Sequence, residues 1–445
     1  MKCLVQKFQL LSIGLALCLS YGCSQQPQEE ENTQSVLPAA DPDNGSITLS
    51  DGFSAFVVAD SLGGGRHLTV HENGDIYVKL RQEKDSTRSS GIVALRDTTG
   101  DGRADITEYF GKYGGTGIHI HNNYLYYSSD SAVYRYALQD GQLVPEGEPE
   151  TIIAELPKER QHAAKSLAFD GQGNMYVNIG APSNACQDPD RTPEVPGQDP
   201  CPLLEKHGGI WRFSDSVLNQ TQDADGYRYA TGIRNAVAIE WNTTANALYG
   251  LQHGRDQLST YWPEHFTEDE GVNLPAEEFL LIKDGSDFGW PYCYYDSAKQ
   301  QKVLSPEYGG DGEEVGRCAD AEDPIMAFPA HWAPNDIIFY QGDQFPEKYK
   351  HGAFIAFHGS WNRAPQEQKG YKIVFVPFEN GMPSGEYEVF ADQFAGEGAP
   401  IESPGDAEFR PTGLAEGPDG SLYISDSVTG RIWRVSYEGP QVAMK

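Results

Sequence analysis

The stretch from His162 to Cys186, HAAKSLAFDGQGNMYVNIGAPSNAC, decides the fold. It contains two apolar runs, SLAF and MYVNIG, on either side of the turn sequence DGQGN. Apolar runs joined by residues that accept positive φ predict a β-hairpin. A titratable side chain, His162, stands just before the first strand of this hairpin.

The same unit of strand, turn and strand recurs along the chain. Its six copies begin at His67, Ile118, Ser166, Ala236, Asp336 and Gly413. One small sheet cannot bury its own faces, whereas sheets stacked around an axis hide them from water. We therefore predict an all-β fold, a six-bladed β-propeller over residues 49–437, in which the segment FSAFVVAD near Phe53 closes the ring with the last blade. A β-sandwich is the alternative, and so regular a repeat argues against it.

The first 22 residues are predicted to be a targeting segment. Lys2 and Lys7 precede the short apolar run LLSIGLALCLS, and Gly22 and Cys23 follow it. This resembles a bacterial lipoprotein signal with lipidation at Cys23, and an ordinary secretory signal is the alternative. Residues 23–48 are predicted to form a flexible polar tether, and residues 438–445 a C-terminal tail. We expect an exported protein, an outer-membrane lipoprotein or periplasmic protein of a Gram-negative bacterium, which contacts the membrane only through its lipid.

The chain is strongly acidic, with a formal net charge of −32. Nucleic-acid binding needs basic patches, so this charge argues against a nucleic-acid partner. Most of the charge is explained by solubility alone.

Four cysteines remain after the predicted signal and Cys23 are set aside. An even number of cysteines in an exported protein implies disulfides. Three pairings are possible, and proximity favours Cys186 with Cys201 and Cys293 with Cys318. A zinc site is the weaker alternative. The chain has no C-x-x-C-H sequence, so covalent haem of that kind is not expected.

Several polar residues occupy equivalent positions in successive units, near the start of the first strand. His162 precedes the first strand of the third unit and could accept a proton at the channel mouth, although a packing role is the alternative. Arg234 and Asn235 occupy the corresponding place in the fourth unit. The remaining candidates around the mouth are Arg66, Gln252, His253, Gly254, Arg255, His331, Trp332, Asn335, His358, Trp361, Asn362, Arg363 and Arg410. Aromatic, His and Arg side chains together suit a planar anionic cofactor, whereas a surface salt bridge is the alternative for each Arg.

The sequence DTTGDGRAD, from Asp97 to Asp105, is similar to a calcium-binding loop. Asp97, Asp101 and Asp105 supply carboxylates around Gly102, and we predict a possible second calcium site there. A hairpin turn capped by Asx side chains is the alternative.

Over roughly residues 50–437 the chain resembles the PQQ-dependent sugar dehydrogenases of the soluble glucose dehydrogenase and sorbosone dehydrogenase type. The motifs that carry the resemblance are HAAKSLAFDGQGNMYVNIG, GIRNAVAIEW, QHGRDQ, GSDFGWPYCYYD, FHGSWNR and RPTGLAEGPDGSLYISDSVTGRIWRV. The resemblance implies PQQ over the channel of a six-bladed propeller, with a calcium ion that holds it.

The resemblance also implies roles for individual residues. His162 matches the base that removes a hydroxyl proton while hydride moves to PQQ, and Arg234 and Asn235 match the conserved pair of the family. Backbone carbonyls at Gly254 and Arg255 match part of the calcium site, and Arg410 matches approximately the Arg before the last inner strand. The substrate would be a sugar, an aldose or sugar aldehyde or lactol, and electrons would pass to an external acceptor, a cytochrome or a quinone.

Two positions depart from the glucose dehydrogenases. Ala181 stands where they carry an Asp near the base, and the run HGSWNR stands where they carry a Lys that contacts PQQ. His358 and Arg363 are the candidates to replace that Lys. Two other functions remain open from the sequence: a calcium-dependent propeller lactonase, and a non-enzymatic lipoprotein that binds a sugar or a partner.

Overall fold

A computed structural model describes residues 38–81 and 91–439. The predicted signal segment, Cys23 and most of the predicted tether lie outside the described residues, so these assignments stay predictions. Within the two described ranges, no helix is long and apolar enough to cross a membrane.

The structure confirms the six-bladed β-propeller. Each blade is an antiparallel sheet built on four main strands, and the blades are numbered here in chain order. The strands are Gly65–Val70, Ile76–Leu80, Ile92–Arg96 and Ile106–Phe110 in blade 1; Ile118–His121, Tyr124–Ser128, Val133–Ala137 and Glu150–Ala154 in blade 2; Leu167–Phe169, Asn174–Ile179, Gly209–Ser214 and Tyr227–Thr231 in blade 3; Ala238–Asn242, Ala247–Gln252, Glu277–Ile282 and Met326–Phe328 in blade 4; Pro334–Phe339, Ala353–Phe357, Lys372–Val376 and Glu388–Asp392 in blade 5; and Pro411–Glu416, Leu422–Asp426, Ile432–Tyr437 and Phe53–Ala59 in blade 6.

Short elements extend the blades and fill the loops. The two-residue strands Thr48–Leu49, Gln220–Thr221 and Ser286–Asp287 add to the outer edges of blades 5, 2 and 3. Two small hairpins lie outside the blades, Cys293–Asp296 with Gln301–Leu304 and Phe378–Glu379 with Met382–Pro383. The α-helices are Gln222–Asp225, Leu258–Tyr261 and Glu268–Asn273, and the 3-10 helices are Pro202–Glu205, Pro306–Tyr308, Gly316–Asp320, Glu347–Tyr349 and Pro404–Asp406.

The first strand of each blade lines the central channel. These six strands contact one another in sequence around the ring, from blade 1 to blade 6 and back to blade 1. The hairpin quoted at the outset is the inner half of blade 3, with Gly171 and Gly173 at positive φ in its turn. Loops that lead into the first strands therefore meet at one mouth of the channel.

The ring closes through an N-terminal strand, as predicted. Phe53–Ala59 is the outer strand of blade 6 and pairs antiparallel with Ile432–Tyr437 near the C-terminus. The Phe53 ring packs edge-on against those of Phe345 and Phe390, each with its centroid 4.8 Å away. Chain ends that are far apart in sequence thus share one sheet.

The folded body includes residues that the sequence analysis assigned to the tether and the tail. Asp41 accepts hydrogen bonds from the Val57 amide at 2.8 Å and from Arg103 at 2.7 Å, and Trp433 donates its indole N–H to the Gly45 carbonyl at 2.9 Å. The Glu438 amide donates to the Gly52 carbonyl at 2.9 Å. Asp41 and Glu438, just outside the predicted range 49–437, are therefore hydrogen-bonded to the propeller.

Both predicted disulfides are present. Cys186–Cys201 closes the loop between the second and third strands of blade 3, and Cys293–Cys318 ties the long excursion of blade 4. The two segments meet where Trp290 donates its indole N–H to the Asn184 carbonyl at 2.9 Å. All four cysteines are used in this way, so the alternative of a zinc site is wrong.

We expect Phe53→Ala to lower the free energy of unfolding by about 3–5 kcal/mol, because it leaves a cavity among the rings that hold the closing strand. Chemical denaturation would measure this loss. Val428→Ala, at a side chain that is 43% exposed, is the control and should change stability by less than about 0.5 kcal/mol. An equal effect of the two changes would contradict a special role of the closing strand.

Candidate active site

Two neighbouring cavities open among the loops at the mouth of the channel. One, here called the acidic pocket, has a volume of about 400 Å³ and contains Asp256 and Glu277 in its wall. The other, here called the channel cavity, has a volume of about 1090 Å³ and contains Arg66 and Arg81. His162 and His253 line both cavities, so they stand at the junction between them.

His162 is held in a defined orientation by the backbone. Its φ is +52°, and a Cβ atom at Gly180 would lie 2.7 Å from the His162 Cβ, so only glycine fits beside it. The Nδ1 atom lies 2.5 Å from the Ala181 carbonyl oxygen. A carbonyl can only accept, so in the neutral imidazole Nδ1 carries the hydrogen and Nε2 is the acceptor nitrogen.

The environment keeps His162 unprotonated. Burial, followed by the positive charge of Arg234, lowers the pKa of His162 to about 3. A neutral imidazole at the junction of two cavities can accept a proton from a hydroxyl group in either of them. The Ala181 carbonyl therefore orients the imidazole from the position at which the glucose dehydrogenases carry an Asp near the base.

Asp256 is the ionic centre of the acidic pocket. It accepts hydrogen bonds from Arg234 at 2.7 Å, from Arg191 at 2.6 Å and from the Asn362 side-chain amide. Although burial acts in the opposite direction, Arg234 and Arg191 hold the pKa of the Asp256 carboxyl well below its usual range. One ionised carboxylate thus joins side chains from blades 3, 4 and 5.

Arg191 reaches this centre from the loop that Cys186–Cys201 closes. Its Nε donates to the Gln161 side chain at 3.1 Å, next to His162. The preceding residue, Asp190, accepts from Ser183 at 2.6 Å and from Gln161 at 3.0 Å. The disulfide loop is therefore part of the wall of the acidic pocket.

Glu277 is a second carboxylate in the same wall. Its oxygens accept from the backbone amides of Gly254 at 2.8 Å and Ala333 at 2.9 Å. Burial raises the pKa of Glu277 to about 7, because these two amides only partly offset the loss of water. The pocket thus combines one permanently ionised carboxylate with one that titrates near neutral pH.

A cluster of guanidinium groups marks the channel cavity. Burial, together with the like charges of Arg81 and Arg410, lowers the pKa of Arg66 to about 10. Across the described part of the chain, Arg66 Nε is one of the buried polar atoms without a hydrogen-bond partner. Crowded cations with an unused donor favour an anionic ligand.

Arg410 and His358 support each other beside this cluster. Arg410 donates to the carbonyl oxygens of His358 at 3.1 Å and Gly359 at 2.6 Å and to His358 Nδ1 at 2.9 Å. His358 Nε2 therefore carries the hydrogen and faces the Ser427 hydroxyl at 2.7 Å. Asn235 and Asn335 line the same cavity.

The remaining predicted residues of the fifth blade divide between the two sides. Trp361 and Asn362 line the acidic pocket, with the Trp361 side chain 49% exposed at its rim. His331 lines this pocket too, whereas Trp332 packs against Phe357 with ring centroids 5.3 Å apart. The rim thus offers one exposed aromatic face.

The side chains of two predicted cofactor ligands, Gln252 and Arg363, bind other parts of the protein instead. Gln252 accepts from the Arg234 amide at 3.0 Å and donates to Glu278 at 2.8 Å, so it supports Arg234 rather than a ligand. The Arg255 side chain is buried in an ion pair with Glu307. Arg363 donates to the carbonyl oxygens of Val272 and Glu367, at 3.1 and 3.2 Å. Gln252 and Glu278 face each other across neighbouring strands, and the prediction for Arg255 concerned its backbone carbonyl rather than this side chain.

The loop from Asp97 to Asp105 has the hydrogen bonds of the capped turn. Asp97 accepts from the amides of Thr99, Gly100 and Gly102, and Asp105 accepts from Thr98. Asp101 accepts from the Arg103 amide at 2.9 Å. In the residues that the structure covers, no group of three or more His, Cys, Asp or Glu side chains is arranged to hold a metal, and this loop is included. The structure favours the turn over the second calcium site.

The oxygen atoms of the acidic pocket suit a hard cation such as calcium. Gly254, whose carbonyl accepts from Arg234 at 3.0 Å, lines the pocket together with Asp256 and Glu277. Asn362 Oδ1 is another buried atom for which the described chain supplies no hydrogen-bond donor. Carbonyl, amide and carboxylate oxygens are the ligands that calcium takes in proteins.

A family described as TrAA12-like matches residues 47–438 of the chain. Among curated proteins, an uncharacterized protein of Borreliella burgdorferi is 27% identical over 292 residues, which is 64% of each chain. A pyrroloquinoline quinone-dependent pyranose dehydrogenase of Coprinopsis cinerea is 28% identical over 239 residues, 47% of this chain and 31% of that protein. The chain therefore spans less than two thirds of the length of either relative.

Solved structures share the fold. A Trichoderma reesei member of Carbohydrate-Active Enzymes Family AA12 superimposes with a TM-score of 0.71 at 19% identity, over 88% of this chain and 98% of that one. The holo form of the pyranose dehydrogenase PQQ domain from Coprinopsis cinerea gives a TM-score of 0.68 at 18% identity, over 90% and 98% of the two chains.

We expect Asp256→Asn to lower the free energy of unfolding by about 3–5 kcal/mol at pH 7, because the buried guanidinium group of Arg234 and the partly buried one of Arg191 lose their counter-charge. Chemical denaturation would measure the loss. Asp199→Asn, which breaks the exposed pair with Arg317, is the matched control and should leave stability unchanged. Equal stability of the Asp256→Asn variant and the unmodified protein would show that Asp256 is not the ionic centre.

Proposed function

Because the chain belongs to the TrAA12-like family, we propose that it is a PQQ-dependent sugar dehydrogenase. One observation of the site carries the proposal. A chain with a net charge of −32 brings Arg66, Arg81 and Arg410 together at the mouth of its channel, where burial and the charges of Arg81 and Arg410 lower the pKa of Arg66. Such a cluster suits a ligand with several carboxylates, as PQQ has.

The channel cavity is the proposed place for PQQ. Arg66, with its unused Nε–H, and Arg81 would bind carboxylates of the cofactor, and Arg410 would hold His358 against it. When bound, PQQ supplies the quinone that accepts hydride from the substrate. The protein supplies the position, the compensating charge and the group that takes the proton.

The acidic pocket is the proposed place for the sugar. Gln161 and Asp256 offer amide and carboxylate groups to hydroxyls, and the exposed face of Trp361 offers an apolar surface to a sugar ring. Because His162 lies at the junction of the two cavities, its Nε2 can take the proton from a hydroxyl of a sugar in this pocket. Arg234, fixed by Asp256, would stabilise negative charge that develops nearby.

Calcium belongs to the proposal as well. The backbone carbonyls of Gly254 and Arg255 and the Asn362 amide oxygen would hold the ion, which would contribute positive charge next to the cofactor. Electrons would leave to an external acceptor, a cytochrome or a quinone. A lipid on Cys23 of an exported protein would account for the single cysteine outside the disulfides of the predicted mature chain.

The other two functions have less support. A calcium-dependent lactonase needs several carboxylate ligands that converge on the channel, and the described residues contain no such group of three or more. A binding lipoprotein without catalysis would not need a neutral, oriented imidazole between two cavities. Both stay distinguishable from a dehydrogenase by experiment.

We expect the purified protein, loaded with PQQ and calcium, to reduce an electron-accepting dye in the presence of an aldose. His162→Ala should lower the rate by about 100–10,000-fold, because it removes the proton acceptor, while PQQ remains bound. The dye assay and PQQ absorbance measure the two properties separately. His265→Ala, at an exposed His outside both cavities, is the control. Failure to bind PQQ would refute the proposed function, and retained turnover of His162→Ala would refute the assigned base.

Arg66→Gln should weaken PQQ binding by about 10–100-fold, because it removes a charge-assisted hydrogen bond. Titration of the apo-protein with PQQ in calcium buffer would measure this change. Arg317→Gln, which alters an exposed ion pair instead, should bind PQQ as the unmodified protein does. Equal affinities of the two variants would show that the cofactor does not use the arginine cluster.

A further inference from the structure

A third and much smaller cavity lies next to the acidic pocket. Its volume is about 10 Å³, and Arg234, His253 and Gly254 separate it from the larger space. A volume of about 10–15 Å³ holds a single water molecule. The cavity is therefore of a size for one small ligand and no more.

Three buried donors line this cavity and lack a partner. They are Arg234 Nε, Arg255 Nε and the Tyr294 hydroxyl, and no acceptor bonds them within the described ranges. Their residues are only 3%, 4% and 3% exposed. Bulk water cannot satisfy donors that are buried to this degree, so three such donors on residues that line one cavity call for a ligand inside the protein.

The other atoms of the same side chains already have partners. Arg234 uses its two Nη atoms on Gly254 and Asp256, and Arg255 uses Nη1 on Glu307. Rotation of either guanidinium group to satisfy Nε would break a charge-assisted bond, which is stronger than a neutral one. The unused Nε–H groups are a consequence of these ion pairs.

The charges around the cavity are balanced. Arg234 pairs with Asp256 and Arg255 pairs with Glu307, and Lys302 lies 2.7 Å from Glu278. A set of N–H donors repels a metal cation, and paired charges leave little attraction for an anion. A neutral acceptor atom that can also donate is the ligand that fits.

We propose that this cavity holds one ordered water molecule. Its oxygen accepts hydrogen bonds from the Nε–H groups of Arg234 and Arg255, and it shares a third hydrogen bond with the Tyr294 hydroxyl. Tyr294 follows Cys293 in the disulfide-tied hairpin. The water thus joins that hairpin to the arginine that stands beside His162.

A crystal structure of the full chain at about 1.5 Å resolution tests the proposal directly. We expect one density peak in the cavity, about 2.7–3.2 Å from all three donors. An empty cavity would overturn the proposal. A soak in bromide separates water from a halide, because an anomalous peak at this position would also overturn it.

A pair of Tyr→Phe variants tests the same point in solution. Tyr294→Phe should lower the melting temperature by about 1–2 °C, because the hydroxyl is bonded to the water. Tyr371→Phe is the matched control: the Tyr371 hydroxyl is also buried without a partner among the described residues, but it does not line this cavity. Its melting temperature should stay constant or rise. Equal behaviour of the two variants would show that no water binds Tyr294.

Discussion

A ring of sheets has no stable form until it closes, and this constraint governs the structure. Closure here depends on the pairing of Phe53–Ala59 with Ile432–Tyr437. Without that pairing, blade 6 would present an open edge, and the blades would have no fixed positions around the axis. The mouth of the channel, with side chains from all six blades, therefore exists only because the two ends of the chain meet far from it.

At the mouth of the channel the loops are held together mainly by ion pairs and hydrogen bonds rather than by apolar packing. Asp256 gathers groups from three blades, and the Cys186–Cys201 loop contributes Arg191 to the same carboxylate. Such an arrangement is expensive to assemble, since several charges leave water together. The protein tolerates this arrangement because each of these charges has a partner. As a result, the positively charged channel cavity lies beside the acidic pocket, which is rich in oxygen atoms.

Most of the fold could be predicted from the sequence, because the unit of strand, turn and strand recurs six times. The residues just before the first strand of each unit could also be predicted to reach the mouth of the channel. His162, Arg66 and Arg234 were predicted in this way. Asp256, Glu277 and Arg191 were missed, since they lie after the second strand, on a third strand or in a long loop, and only the folded chain brings them together. The two Glu at the start of the apolar strand Glu277–Ile282 were an available signal. The Arg363 side chain was predicted at the cofactor, and its contact with the Val272 carbonyl could not be foreseen because Val272 lies far away in the sequence.

The hydrogen bond from His162 to the Ala181 carbonyl has an evolutionary consequence. A side-chain carboxylate can be lost in one mutation, whereas every residue type at position 181 would supply a backbone carbonyl as acceptor. Position 181 is then constrained by the size of its buried side chain and by its amide, which donates to the Arg234 carbonyl at 2.8 Å. The orientation of the imidazole therefore depends on the path of the main chain, and side chains around it can change in evolution while that orientation is kept.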